Sequence, residues 1–157
     1  MADACLTGLR LLAGRELSES QLRTRLQRRE FDDGDVDAAV ERLRQEGALD
    51  DLRTARACAR TEAHVKRHGR LRVLRQMHAL GIARGIAEQA VAEVFAEMDE
   101  DELLARALER RLRGTAPLDN ATARRVQRYL LAQGFEAGRV NAVLRDRIRH
   151  LRHGNQR

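Results

Sequence analysis

Apolar residues recur along this chain in a register that returns twice. Leu22, Leu26, Phe31 and Val40 reappear 51 residues later as Val73, Met77, Ile82 and Val91, and 53 residues after that as Val126, Leu130, Phe135 and Leu144. Residues four apart share one face of a helix. Four positions that keep their internal spacing over such long steps predict one helical unit built three times. Function is then to be sought on a repeated surface, not in a single pocket.

The polar residues between these positions supply the punctuation. Leu6, Leu9, Leu12 and Ala13 have helical spacing across residues 4–14, and Gly14 closes that segment. Ser18 stands three residues before Gln21, the spacing at which a hydroxyl and a returning side chain cap a helix reciprocally. A second helix carries Leu22 and Leu26, and Phe31 anchors the turn after it. Asp32 or Asp33 caps a third helix with Val36, Val40 and Leu43 as its stripe, and Gly47 supplies its stop. The second unit follows the same plan. Leu49 plugs the junction, Asp50 caps a helix over 52–67 with Ala55, Cys58, Ala59 and Val65 as core positions, and Gly69 ends it. Val73, Met77 and Leu80 mark the next helix, Gly81-Ile82 the turn, and Ile86, Ala90, Val91 and Val94 the one after.

The third unit opens at Asp99, with Glu102 at capping-box spacing, and continues through Leu103, Leu104, Ala107, Leu108 and Leu112. Gly114 to Asp119, including Pro117, reads as a loop. Val126 and Leu130 then lead to Gly134-Phe135, and Val140, Leu144, Ile148 and Leu151 form the last stripe. The expected fold is all-α, an elongated array of three tandem three-helix repeats at 1–48, 49–97 and 98–153, with a disordered tail at 154–157. Each repeat is too small to bury a sizeable core alone, so neighbours are expected to cover one another's apolar faces. A monomer is the simpler expectation on the same ground.

Composition agrees with helix. Aromatic residues make up 3% of the 157 residues and there is one proline. Thirty basic residues against 24 acidic ones give a net charge of +6, and Lys66 is the only lysine. Such an excess suits an anionic partner, either nucleic acid or an acidic protein surface, and arginine offers bidentate contacts that lysine cannot make. On the repeat register Arg72 and Arg75 correspond to Arg125 and Arg128, each pair spaced i, i+3 beside the apolar stripe. These four are the candidate partner-binding residues. They form either a basic track along one side of the array or the repeated solvation of a helix.

Little else carries chemistry. Cys5 and Cys58 are isolated and read as buried or half-buried thiols. His64 with His68, and His150 with His153, have helical spacing but no third ligand at metal-site spacing. The run Asp99-Glu-Asp-Glu102 lacks the alternating ligands and central glycine of a calcium loop and suits a helix N-terminus. No phosphate loop, nucleophile turn or dinucleotide fingerprint is present. No catalytic residue, metal or cofactor is therefore expected. No segment reads as a signal peptide or a membrane span, so the expected location is the cytoplasm.

Taken in order along the chain, the motifs resemble the regulatory protein RecX family over residues 4–151. Leu9, Leu12, Arg15-Glu16, Ser18, Leu22, Leu26 and Phe31 carry the opening of that resemblance. Gly47-Ala-Leu-Asp-Asp51 followed by Ala55 resembles the family's most recognisable segment. Gly69, Arg72, Gly81-Ile82 and Ile86 carry the second repeat, and Tyr129-Leu130 with Gly134-Phe135 the third. Two departures stand in the first helix of the second repeat, where Thr54 and Cys58 replace aromatics. The resemblance implies a modulator of the RecA recombinase, one that binds RecA filaments on DNA and mostly inhibits recombinase, ATPase and co-protease activities in DNA repair and recombination. A direct nucleic-acid binder that touches single- or double-stranded DNA independently of RecA is the alternative.

Overall fold

The computed structural model describes residues 3–113 and 119–154, and side chains as far as His150. Among the described residues it contains nine α-helices and no strand, arranged as three tandem three-helix repeats. Of the twelve register positions, eleven are buried and Phe31 is half-buried. The expected loop at 114–118, with Pro117, lies outside the described residues. So do residues 155–157, while the last helix runs to Gly154, one residue into the expected tail.

The first repeat comprises α1 (Ala4–Gly14), α2 (Glu19–Gln27) and α3 (Asp33–Gln45). Side-chain oxygens start each helix: Asp3 accepts from the Cys5 N–H at 2.8 Å, Ser18 and Gln21 form the reciprocal box, and Asp32 caps α3. Leu17, Leu22, Leu26 and Leu43 are fully buried, each stabilising the fold by about 1.5–3 kcal/mol relative to exposure. The stripe expected on α1 is corrected, because Leu6 and Leu9 are 46% and 39% exposed while Ala4, Cys5 and Gly8 face inward. Size explains the choice. A Cβ on Gly8 would lie 2.7 Å from Leu43 Cδ1, so α1 meets α3 along its small residues.

In the second repeat Asp50 caps α4 (Asp51–Arg60), accepting from the Arg53 N–H at 3.0 Å. Thr54 is buried, and its hydroxyl donates to the Leu17 carbonyl at 3.2 Å. The α-helix does not continue to residue 67. Residues Thr61–Val65 form a π-helical turn, and the extra residue per turn rotates the inward face. Val65, expected in the core, is 74% exposed, whereas Ala63 and Glu62 are buried. Helices α5 (Arg70–Ala79) and α6 (Arg84–Ala96) complete this repeat. Helices α7 (Glu100–Leu112), α8 (Asn120–Ala132) and α9 (Ala137–Gly154) form the third. Asp99 caps α7 as expected, but the box is half made, since Glu102 turns to Arg106 at 2.6 Å instead of back to the cap.

Contacts divide the chain into two compact units, Met1–Ala59 with Leu74–Ala92, and Arg60–Val73 with Glu93–Arg157. The division passes through α4, α5 and α6. Each unit holds one junction between successive repeats, and the two junctions use equivalent positions. In the first unit Ser18 Oγ donates to the Leu80 carbonyl, and Ser20 lies against Gly81, leaving no room for a Cβ there. In the second unit the Gly69 N–H donates to the Gln133 carbonyl at 2.8 Å and the Leu71 N–H to the Gly134 carbonyl at 3.1 Å.

The turns at these junctions share one backbone requirement. Gly81 and Gly134 have φ of +74° and +92°, and their equivalent in the first repeat is Glu30, at φ +63°. Among the described residues no other repeat packs on that first turn, so it tolerates a side chain where the other two cannot. Left-handed backbone still costs a non-glycine residue about 1 kcal/mol. Glu30→Gly is therefore expected to raise the thermal midpoint by roughly 2–4 °C, read by circular dichroism.

Candidate partner-binding surface

Charge is spread unevenly over the repeats. Residues 1–48 hold eight arginines against ten carboxylates, whereas residues 98–157 hold thirteen against eight. The first repeat also spends its arginines on neighbours: Arg23 pairs with Glu19 at 3.0 Å and with Asp37, and Arg42 with Glu46 at 2.8 Å. Most such pairs are exposed and add little stability each. The third repeat forms such pairs too, Arg106 with Glu102 and Arg139 with Asp101, so its excess positive charge rests on its larger number of arginines.

The four candidate arginines have different surroundings. Arg72 is half-buried at the second junction, where its guanidinium reaches the Ala132 carbonyl and Gln133 Oε1, both at 3.4 Å. A cation suits that place, because the last carbonyls of α8 point there. Arg125 and Arg128 are exposed on α8, and Arg125 Nη2 donates to Thr122 Oγ1 at 3.0 Å. Arg75 is exposed on α5 and belongs to the first unit, whereas the other three belong to the second.

A second basic feature was not singled out from sequence. Between α8 and α9 lies an open groove of about 460 Å³ with Ala123, Leu144 and Ile148 on its apolar side and Arg124 and Arg145 among its polar lining. Gln127 Nε2 donates to Asn141 Oδ1 at 2.6 Å across it, and no carboxylate lines it. The uneven charge count was the available signal. The groove's arginines do not recur in register, since Arg124 and Arg145 align with Leu71 and Ala92.

Histidines and carboxylates gather elsewhere for structure. Glu62, 5% exposed, is held by Lys66 Nζ at 2.5 Å and His68 Nδ1 at 2.6 Å. Burial pushes the Glu62 carboxyl up, but the hydrogen bonds and charges of Lys66 and His68 outweigh it and hold the group below the usual carboxylate range. This cluster ties the π turn to the segment that ends at Gly69. Among the described residues no three His, Cys, Asp or Glu side chains come together as a metal site. None of the helices described there is long and apolar enough to cross a membrane.

Comparison with known proteins follows the same outline. The family description "RecX, first three-helix domain" matches residues 4–43. A regulatory protein RecX of Halorhodospira halophila is 33% identical over 135 residues, covering 86% of this chain and 82% of that one. One from Thermus thermophilus is 38% identical over 137 residues, covering 87% of each. A crystal structure of RecX from Lactobacillus salivarius superposes with a TM-score of 0.78 at 15% identity, over 93% of this chain and 97% of that one. A second crystal structure, of a regulatory protein RecX, gives 0.80 at 21% identity over 91% and 70%.

Proposed function

The chain belongs to the regulatory protein RecX family, and from that premise we propose that it binds RecA filaments assembled on DNA and restrains their growth and ATP hydrolysis. The observation that supports this reading is the repetition of arginine in register, exposed at both members of the pair Arg75 and Arg128 and at Arg125, the equivalent of the half-buried Arg72, on a chain built from one recurring unit. A filament presents the same protein surface at regular intervals. A repeated unit can meet several of those surfaces at once, and contacts that are weak singly then sum to useful avidity. Arg75, Arg125 and Arg128 would meet carboxylates of the filament or DNA phosphate, and Arg72 would serve mainly at the junction. The protein would act in the cytoplasm, where such filaments form, as a regulator of recombination and repair without chemistry of its own.

The test is RecA on single-stranded DNA, with ATP hydrolysis followed as the purified chain is added. Inhibition is expected to deepen with protein concentration. Replacing Arg75 and Arg128 together by glutamate should raise the concentration for half-inhibition roughly tenfold, the scale of one lost charge contact, with helicity unchanged. An ATPase rate indifferent to the protein at every ratio and salt concentration would remove the filament reading.

A further inference from the structure

The junctions also show what each repeat receives from the next one. Positions 19, 70 and 123 are register equivalents, as are 44, 95 and 148. The Glu19 N–H donates to Asp51 Oδ1 at 2.8 Å, and Asp51 is the first residue of α4. Arg70 Nη2 donates to Glu100 Oε1 at 2.6 Å, and Glu100 is the first residue of α7. The Arg70 guanidinium lies over the Phe95 ring, 5.1 Å from its centre. One place on the repeat is thus used twice to take a helix that starts on carboxylates and continues into leucine: Asp50-Asp51-Leu52, then Asp99 to Glu102 followed by Leu103.

In the third repeat the same place is open. Ala123 and Ile148 face the groove between α8 and α9, beside Leu144, with Arg124 and Arg145 where the second repeat has Leu71 and Ala92. We propose that this groove receives the first turns of a helix from a partner protein, one that carries carboxylates in its first turn and leucine-like residues behind them. Apolar residues give such a helix a floor, as in other helix-in-groove contacts. Two guanidinium groups free of lining carboxylates match its acidic start with charge-assisted hydrogen bonds.

A second copy of this chain is a poorer fit, although α1 follows Asp3 and exposes Leu6 and Leu9. Stacking its first repeat here would put Glu30 where the internal junctions require Gly81 and Gly134, against neighbours that leave no room for a Cβ. Residues 151–157 of the chain bring only basic charge. The proposal fixes the partner's chemistry and stands apart from the filament reading.

The probe is a fluorescein-labelled, N-acetylated peptide with the sequence of residues 98–112, added to the full-length protein and followed by fluorescence anisotropy. Saturable binding is expected. The double variant Arg124→Glu, Arg145→Glu should weaken it at least about tenfold with an unchanged melting curve, and so should replacing the peptide's four leading carboxylates by amides. Three results would overturn the proposal: no saturable binding at protein concentrations up to about 100 μM, binding indifferent to the double variant, or displacement of the peptide by a single-stranded oligonucleotide. Sedimentation showing a dimer that the same variant abolishes would assign the groove to a second copy instead. None of these outcomes touches the RecA ATPase assay, so the two readings fail separately.

Discussion

Replacing Gly134 by alanine is expected to destabilise the protein by about 3 kcal/mol, lowering the thermal midpoint by roughly 6–12 °C. Two costs add. The backbone stands at φ +92°, where an L side chain is strained, worth about 1–2 kcal/mol. The new Cβ would also meet the Arg72 amide nitrogen, with Arg72 Cβ at 2.5 Å and the Gly69 carbonyl at 2.8 Å. Two of those three atoms are backbone, so no rotamer change relieves the clash, and relief requires the junction to open. Gly47 separates the two costs, since it has φ +71° but nothing within 4 Å of a built Cβ. Gly47→Ala should therefore lose only about 1–2 kcal/mol. Equal losses at both positions, measured by thermal melts followed at 222 nm, would show that the close approach at Gly134 carries no weight.

Glu62→Ala is the second large effect, expected at about 2 kcal/mol by urea denaturation at pH 7. It strips Lys66 and His68 of their shared acceptor at a nearly closed site. Lys66 is half-exposed and can turn to water, which keeps the loss below that of a fully buried pair. The sign of the pH dependence follows from the carboxyl being held below its ordinary value in the folded chain. Its stabilising contribution is fully present above the unfolded-state value, near about 4.3, and fades as pH falls through the lower folded value. The stability gap between the natural chain and Glu62→Gln should thus close as pH falls below about 4. A gap that persisted undiminished at about pH 2, where the carboxyl is protonated in both states, would contradict the ion cluster.

What the sequence shows in advance is whatever is periodic. The twelve register positions, the caps at Ser18, Asp32, Asp50 and Asp99, and the glycine turns at 81 and 134 are local or repeated, and they stand in the structure as expected. The misplacements share a physical cause, which is that packing partners decide between faces that periodicity leaves equivalent. On α1 the large residues Leu6 and Leu9 look like the core stripe, but only Ala4, Cys5 and Gly8 are small enough for the approach to α3. At Val65 one π turn breaks the count, and nothing in residues 61–65 announces it. The groove carrying Arg124 and Arg145 lies where the first two repeats each take the start of the next helix, a relation between repeats that no single repeat's pattern encodes.

The two junctions also impose an order on making the protein. Ser18 lies 62 residues from the Leu80 carbonyl it meets, and Gly69 is comparably far from Gly134. As the chain leaves the ribosome, the first repeat can close its own core, yet its joint waits until Leu80 emerges. The second joint waits for Gly134. Vectorial synthesis at about 5–20 residues per second spaces those closures by seconds, so the growing chain never has to search for both joints at once.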